Sequence, residues 1–463
     1  MKKILYAILA GGNLICFGSC KKFLDLQPIS DVTSAAYYKT AAQAETGLTG
    51  AYDALQDAAY YGFHVFNLED VQSDNCSAGG DSPDIFQVDN FTATPTNLVI
   101  LQEWPLVYTA IGRDNDVIDN VSAMDDAVFT ADRKKQILGE ARFLRALNYF
   151  NLVREYGNIP LQLKSVTKPD NSAIDLPQSP AADVYNAIIA DLQFAADNLP
   201  ADMAIGRAAK GAALGLLAKV YLTLKDWQKA SDYCQQVITL GKYSTNIPYD
   251  NIFTQKHNVE VIFDVQYTGG TEGNTLPDLL LPYPLATFEF KKFGTPTPDM
   301  IAAYEAGDIR KASSIIFMTT IDGPNFPHVY KYRNAAAFAA ATNFIVLRIA
   351  DVKLMLAEAL NELAYGNTQA FSALNEIRQR ATLPAFTAAM LPDQASFRDA
   401  LYKERRVELA FEGHRWADLV RTGRALATMQ LTYPNFTADK LILPIPQPEI
   451  DKNTALKQNP GYH

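Results

Sequence analysis

Three glutamates near the carboxyl end, Glu404, Glu408 and Glu412, recur every four residues and therefore fall on one face of a predicted helix. Paired carboxylates provide acid and base catalysis in glycoside hydrolases, where they flank the scissile bond. Here, however, arginines such as Arg405 and Arg406 are interspersed with the acids. This pattern indicates ion pairs between neighbouring helices. We expect a salt-bridged seam between repeats and no catalytic pair.

A second group of polar residues lies in a segment rich in turn-forming residues. Its members are Asp74, Asn75, Asp81 and Asp84. Their oxygens could accept hydrogen bonds from a ligand or hold a calcium ion, but the spacing does not match the D-x-[DN]-x-[DN]-G calcium loop. Capping of turns is the more common use of such residues. We therefore expect no cofactor, with a structural calcium ion as the alternative.

The sequence lacks the common signatures of zinc, nucleotide and serine-hydrolase chemistry. Its five histidines form no H-E-x-x-H motif, and neither G-x-S-x-G nor G-x-x-x-x-G-K-[ST] occurs. The net charge of −10 over 463 residues argues against nucleic acid as a partner, because binding to phosphates requires a basic surface. These features favour a binding protein over an enzyme.

Residues 1–19 have the pattern of a secretory signal peptide. Two lysines follow Met1, Ile4 to Phe17 form an apolar core too short to span a membrane, and small residues lead into Cys20. This ending resembles a lipoprotein cleavage site, although Phe17 stands where leucine is usual. We expect Cys20 to be acylated and to anchor the mature chain to a membrane. Ordinary secretion is the alternative.

The elements that would position these residues are mostly helical. Residues 210–241 contain two amphipathic helices joined at Lys225-Asp226, with apolar side chains at three- and four-residue steps. This segment resembles a tetratricopeptide repeat, a helical hairpin that buries its apolar face only against neighbours. Comparable patterns predict about four helix pairs, in 131–199, 210–241, 357–377 and 396–427.

We therefore predict a mostly α, single-domain protein over residues 20–463. Its parts are an N-terminal tether with helices and a binding loop (20–130), the first two helix pairs (131–241), a loop-rich insertion (242–343), and the last two pairs with a C-terminal segment (344–463). Apolar residues alternate over 259–267 within the insertion, which predicts a short strand. Long irregular loops on a rigid frame commonly carry function. We expect the insertion and the loop 60–97 to meet in a ligand-binding lobe.

Four motifs, in order along the chain, are similar to those of the SusD/RagB family. They are FGSCKKFLDLQP (17–28), GEARFLRALNYFNLVREYGNIPL (139–161), KERRVELAFEGHRWADLVRTG (403–423) and LILPIPQPEIDKNTALKQNPGY (441–462). The resemblance implies a lipoprotein of the outer membrane that faces the cell exterior and forms a lid over a SusC-like TonB-dependent transporter. It implies the capture of oligosaccharides or other glycans for uptake. Peptides or another polymer are the alternative ligands, and a protein-only envelope scaffold is the alternative function.

Ligand contacts are expected from loop residues, because all three tryptophans fall on helical stripes and are predicted to be core. Aromatic faces can stack on the C–H surfaces of a sugar, while amides and carboxylates satisfy its hydroxyls. The candidate ligand-binding residues are Asp74, Asn75, Phe86, Tyr267, Tyr283, Phe288 and Phe290. Cys76 and Cys234 are expected to be free thiols, with a disulfide between them left open.

Overall fold

The computed structural model describes residues 37–166 and 176–462, so the predicted signal peptide and Cys20 lie outside the described residues. The predicted mostly helical fold is confirmed. The long helices are Ala41–Asp53, Leu98–Ala123, Arg133–Tyr156, Ala181–Asn198, Lys210–Thr223, Trp227–Thr239, Ile349–Leu363, Thr368–Arg380 and Gln394–Glu408. Shorter helices are His64–Phe66, Pro83–Asp89, Asn251–Thr254, Leu276–Leu280, Pro298–Ala303, Arg310–Ser314, Arg415–Arg421, Ala425–Met429 and Gln447–Lys452.

Three of the predicted helix pairs are in contact: Arg133–Tyr156 with Ala181–Asn198, Lys210–Thr223 with Trp227–Thr239, and Ile349–Leu363 with Thr368–Arg380. In the predicted fourth pair, Gln394–Glu408 packs instead on Ile349–Leu363 and Thr368–Arg380. Within the central pair, Ala218 and Ala230 are fully buried, and their small side chains allow the two helices to approach closely. The side chain of Asp226 accepts a hydrogen bond from the backbone N–H of Lys229 and so begins the second helix of the pair. That helix packs in turn against Ile349–Leu363. The stack of repeats therefore continues across the insertion.

The last predicted helix, 415–427, is divided in the structure. Gly423 adopts a positive φ of 72°, a conformation that ends a helix readily because glycine has no Cβ. Two shorter helices result, Arg415–Arg421 and Ala425–Met429. Trp416 is buried in a small separate core with Phe436. Among the other tryptophans Trp104 is buried and Trp227 is partly buried, so all three belong to the core as predicted.

The strands are short and form two-stranded antiparallel sheets. The predicted strand is present as Val261–Val265 and pairs with Phe344–Arg348. The hairpin formed by Ile315–Thr320 and Gly323–Val329 was not predicted. Two further pairs join Cys76–Ala78 to Gly294–Pro296 and Ile159–Pro160 to Gln178–Ser179.

The sheet of Cys76–Ala78 and Gly294–Pro296 brings the loop 60–97 against the insertion, as predicted. Cys76 lies opposite Pro296 in its register. Cys76 and Cys234 are both buried free thiols, and Cys76 belongs to a strand, not to an irregular loop. No helix in the described part of the chain is both long and apolar enough to cross a bilayer.

The predicted salt-bridged seam is also present. Arg348, fully buried, donates to Glu260 at 2.6 Å, to Glu408 at 2.5 Å and to Glu412 at 2.7 Å. Arg310 pairs with Glu404 at 2.6 Å and with Glu408 at 3.0 Å. Glu412 lies beyond the end of the helix Gln394–Glu408, so the three acids do not share a single helix as the spacing suggested. Their carboxylates pair with arginines, and that of Glu412 also accepts a hydrogen bond from Lys331 at 2.6 Å.

Candidate ligand-binding site

Two loops of the insertion bring three phenylalanine rings together in a surface that we call the platform. The first loop, 281–293, carries Phe288 and Phe290, and the second, 330–343, carries Phe338. The rings of Phe288 and Phe338 lie 5.5 Å apart between centroids with 18° between their planes. The rings of Phe290 and Phe338 lie 6.0 Å apart at 27°. The three rings are therefore nearly parallel.

The platform is open to solvent and borders a cavity. Phe288 and Phe338 expose 45% and 38% of their surface, which is unusual for large apolar side chains unless a partner covers them. The adjoining cavity has a volume of about 630 Å³. It is lined by Gly80, Asp81, Leu279, Glu289, Phe290, Lys291, Phe293, Ile321 and Phe338. Exposed rings beside a hollow with a few charged groups provide the features of a small-molecule or glycan site.

Asp278 holds the two loops at this spacing. Its carboxylate is fully buried and accepts a hydrogen bond from the backbone N–H of Thr287 at 2.8 Å. It also accepts from the N–H groups of Ala336 at 3.1 Å and Phe338 at 2.7 Å. Ala337 and Phe338 both have positive φ values, 53° and 63°, which are uncommon for residues with a Cβ. The Asp278 carboxylate stabilises this strained backbone.

Lys292 stabilises the loop that carries Phe288 and Phe290. Its ammonium group is buried and donates to the carbonyl oxygens of Asp278 at 3.0 Å and Phe288 at 3.1 Å. The same group lies 3.6 Å from the centroid of the Phe290 ring, an arrangement that a cation–π attraction stabilises. Burial lowers the pKa of Lys292 to about 8, against the opposing effect of the nearby Asp278 and Asp322. The lysine fixes the positions of Phe288 and Phe290.

The loop that follows the strand Cys76–Ala78 closes one side of the cavity. The N–H of Gly79 donates to the carbonyl oxygen of Phe293 at 3.1 Å. Gly80 has a φ of 72°, and a Cβ at this position would come within 2.8 Å of the Phe293 ring. A glycine is therefore favoured at this position, and the neighbouring Asp81 lines the cavity.

Of the predicted binding residues, Phe288 and Phe290 belong to the platform. Phe86 and Tyr283 are exposed, at 41% and 48%. Phe86 lies on the helix Pro83–Asp89 and Tyr283 near the start of the first platform loop. Among the described residues, neither ring pairs with a platform ring. The structure thus brings together two of the predicted aromatic residues, Phe288 and Phe290, while Phe86 and Tyr283 are exposed outside the set of stacked rings.

The predicted roles of Asp74 and Asn75 do not fit the structure, because arginines occupy their polar groups. Arg415 donates to both carboxylate oxygens of Asp74, at 2.7 and 2.8 Å, and Arg406 donates to the amide oxygen of Asn75 at 3.0 Å. Asn75 is also fully buried. Although burial opposes ionisation of Asp74, Arg415 and Arg406 hold its pKa below the usual value. This turn joins the N-terminal lobe to the last helices.

The predicted contact of Tyr267 with a ligand is likewise corrected by the structure. Its ring has no exposed surface, and its hydroxyl donates to the carbonyl oxygen of Gln56 at 3.2 Å. A side chain without exposed surface cannot stack on a ligand. The alternating run 259–267 already contained a signal for this burial, because Tyr267 lies in phase with Phe263 and Val265, which are also core residues.

Two residues of the site were missed in the sequence, Phe338 and Asp278. Phe338 is the single aromatic residue within the run NAAAFAAAT (334–342), and that isolated large side chain among alanines was the available signal. Asp278 had no such signal, since its role depends on a contact with residues nearly 60 positions along the chain, such as Ala336.

Comparison with protein families gives two matches along the chain. Residues 324–462 match the family described as the SusD family. Residues 22–222 match the family described as "Starch-binding associating with outer membrane". Among characterised sequences, the chain is 30% identical to SusD-like protein P2 of Formosa agariphila, over 95% of this chain and 96% of that protein. It is 24% identical to a SusD-like protein of Bacteroides ovatus, over 91% of this chain and 83% of that protein.

Solved structures have the same fold. A laminarin-binding SusD-like protein superposes with a TM-score of 0.78 at 28% identity and covers 92% of this chain and 100% of its own. A SusD homologue from Bacteroides thetaiotaomicron superposes with a TM-score of 0.79 at 25% identity, covering 93% of this chain and 98% of its own. The surface glycan-binding protein A of Bacteroides fluxus, at 23% identity, superposes with a TM-score of 0.78 over 92% of this chain and 100% of its own.

Proposed function

Since the chain belongs to the SusD family, we propose that it is a non-enzymatic binding protein that captures oligosaccharides and passes them to a SusC-like TonB-dependent transporter. The observation that supports this role is the platform. Phe288 and Phe338 are the exposed rings of a nearly parallel set beside a cavity of about 630 Å³. A sugar ring stacks its apolar C–H face on an aromatic ring of this kind, and the hydroxyls of its edge need polar partners.

The polar groups at the cavity fit that chemistry. Asp81 and Glu289 supply acceptors and Lys291 supplies donors, so the hydroxyls of a glycan can exchange their water for protein partners. The acids of the seam, by contrast, are buried against arginines, which supports a role in binding and not in hydrolysis. The laminarin-binding protein with the same fold makes a glucan the first ligand to test.

We further propose that the protein is held at the outer membrane by acylation at Cys20 and faces the cell exterior. The chain that follows Cys20 leads within about twenty residues to the first described helix, Ala41–Asp53. The helical frame would then form the surface that contacts the transporter, while the platform lies on loops that the frame holds in place.

The experiment that tests ligand capture is affinity electrophoresis of the protein through gels containing laminarin, starch or other polysaccharides, in parallel with a panel of peptides assayed by calorimetry. Retardation by at least one polysaccharide, and no heat from the peptides, is the expected result. Binding of peptides without retardation by any polysaccharide would favour the alternative ligand class. Binding of neither class would overturn the capture role.

A further inference from the structure

A second cavity, of about 370 Å³, adjoins the loop that carries Phe338. Its walls are the segment 252–258 and the loop 330–343, the loop that also carries Phe338. Phe338 contributes to the platform cavity, while Ala336, Ala339 and Ala341 of the same loop line this one. The two cavities have no lining residue in common, so they are distinct sites.

The small side chains of these three alanines keep the second cavity open. Each presents a single methyl group where a larger side chain would occupy part of the space. Across from them an apolar wall is formed by Ile252, Phe253 and Ile345. The cavity thus combines one apolar wall with polar groups elsewhere, which is the usual construction of a site for a small molecule.

Lys331 is the most distinctive polar group of the lining. It is 1% exposed, and its ammonium group donates to the carbonyl oxygen of Glu408 at 3.1 Å and to the carboxylate of Glu412 at 2.6 Å. An ammonium has three N–H donors, and no third acceptor is found among the described residues. The ammonium also lies 4.8 Å from the ring centroid of Phe253 and 5.3 Å from that of Tyr249, so cation–π contacts occupy its remaining side. Free donors come from Lys256 instead, because among the described residues its exposed ammonium donates only to the carbonyl oxygen of Tyr267, at 2.7 Å.

The charges of the lining balance. Lys331 and Lys256 carry positive charge, and Asp264 and Glu412 carry negative charge. A neutral ligand is favoured over an ion, because an ion would leave an uncompensated charge in a partly buried site. The volume is at the lower end of the range of about 300–1,000 Å³ for small-molecule pockets, which fits one ring-sized molecule.

We propose that this cavity is a second binding site, independent of the platform, for a single neutral polyhydroxylated ring such as a hexose. The ring places a C–H face against Ile252, Phe253 and Ile345, and its hydroxyls contact Lys256 and Asn334, which also line the cavity. The ring can come from a free monosaccharide or from the end of a longer glycan.

The test is saturation-transfer NMR on the full mature chain with D-glucose, and separately with glucuronate and with a glucose pentasaccharide. The blocking variants are Ala341→Phe and Gln255→Trp. Both positions are exposed and lie on opposite walls, so the substitutions fill the cavity without disturbing the core. Phe288→Ala serves as the matched variant that removes a platform ring and leaves this cavity intact.

The expected result is a glucose signal that falls at least fivefold in both blocking variants and persists in Phe288→Ala, with a much smaller signal from glucuronate. A pentasaccharide signal with the same dependence would identify a chain end as the source. The proposal would be overturned if the unaltered protein gave no glucose signal. It would also be overturned if Phe288→Ala abolished the signal or if the blocking variants left it unchanged. Binding at the platform is measured independently, by retardation in polysaccharide gels, so a failure of the proposed function can be distinguished from a failure of this proposal.

Discussion

Asp278 positions the rings of the platform without facing the cavity itself. Its buried carboxylate accepts three backbone N–H groups from two loops, and the two loops carry Phe288 and Phe338. An amide of the same size has only one oxygen acceptor, and its NH₂ group would face an N–H donor. The distance between the two rings therefore depends on this carboxylate.

For Asp278→Asn we expect weaker glycan binding, together with a loss of about 1–3 kcal/mol in the free energy of unfolding, because at least one buried N–H loses its acceptor. Calorimetric titration and urea denaturation measure the two effects. Asp202→Asn is the matched control, since Asp202 forms only an exposed ion pair with Lys242, worth about 0–1 kcal/mol. Unchanged glycan affinity in Asp278→Asn would contradict the positioning role.

Glu103 is a residue whose ionisation opposes folding. It is fully buried in the helix Leu98–Ala123, and among the described residues its Oε1 has no hydrogen-bond partner. Burial, together with the nearby Glu69, raises the pKa of Glu103 to about 8. Because the pKa is higher in the folded state, the folded protein binds more protons than the unfolded chain between pH 4.5 and about 8.

Stability should therefore fall as the pH rises through this window. Glu103→Gln imitates the protonated form, so we expect it to be similar to the unaltered protein near pH 5 and more stable near pH 8. Thermal unfolding at a series of pH values measures the difference. Glu45→Gln provides the contrast: a hydrogen bond from Arg133 lowers the pKa of Glu45, so its removal should destabilise at neutral pH. Equal pH profiles for Glu103→Gln and the unaltered protein would contradict this account.

At the scale of elements, the seam around Arg348 joins the sheet of Val261–Val265 and Phe344–Arg348 to the last long helix. Arg348 contacts Glu260, Glu408 and Glu412 with all of its guanidinium nitrogens. Removal of one member of a buried ion pair leaves its partners unpaired in a low dielectric. The seam therefore depends on this arginine.

Arg348→Met should lower the free energy of unfolding by about 3–5 kcal/mol, the usual cost of breaking a buried ion pair. Urea denaturation is the measurement. Arg424→Met, which removes an exposed pair with Asp399, should change stability by less than about 1 kcal/mol. A similar loss for the two variants would show that the seam contributes little.

The secondary-structure elements predicted correctly from the sequence are those in which apolar residues recur with a regular helical or strand spacing. The helix pair 210–241, the stripe around Trp104 and the strand within 259–267 follow from the spacing of apolar residues. The hairpin Ile315–Val329 was missed because Gly323, Pro324 and Pro327 interrupt its alternation. Its register is set by pairing such as Ile315 with Val329, a contact that local propensity does not encode.

The binding-site residues were harder to predict from the sequence, because their burial and their partners depend on contacts between distant parts of the chain. Tyr267 and Phe288 both lie in the loop-rich insertion, and only the tertiary fold decides that Tyr267 packs inside while Phe288 stays exposed. The Asp74 turn resembled a polar binding loop, but its partners Arg406 and Arg415 lie more than 300 positions away along the chain. Short-range patterns contain no information on such contacts.

At the scale of the whole molecule, we expect the location of the protein to depend on Cys20. Cys20→Ala removes the thiol that would carry the lipid, and a lipid chain contributes about 0.8 kcal/mol per buried CH₂ to membrane attachment. The variant should therefore move from the outer-membrane fraction to the soluble fraction, with its fold unchanged. Fractionation and immunoblotting of cells measure the distribution, and Cys234→Ala is the control. Retention of Cys20→Ala in the membrane fraction would contradict lipid anchoring.

The helical frame and the insertion loops have different roles in the molecule. The stacked helices supply the buried core, and the two insertion loops present rings that contribute little to it. Removal of the platform rings should accordingly change binding far more than folding.

The most direct measurement is calorimetric titration of a polysaccharide ligand identified by gel retardation into Phe288→Ala/Phe338→Ala. Each ring is worth about 0.5–1.5 kcal/mol of stacking, so for the two rings together we predict affinity roughly 5- to 150-fold lower with an unchanged melting temperature. Phe317→Ala is the control, because Phe317 exposes a similar 40% of its surface but lies on the strand Ile315–Thr320, outside both platform loops and outside the cavity lining. Full affinity in the double variant, or equal loss in Phe317→Ala, would contradict capture at the platform.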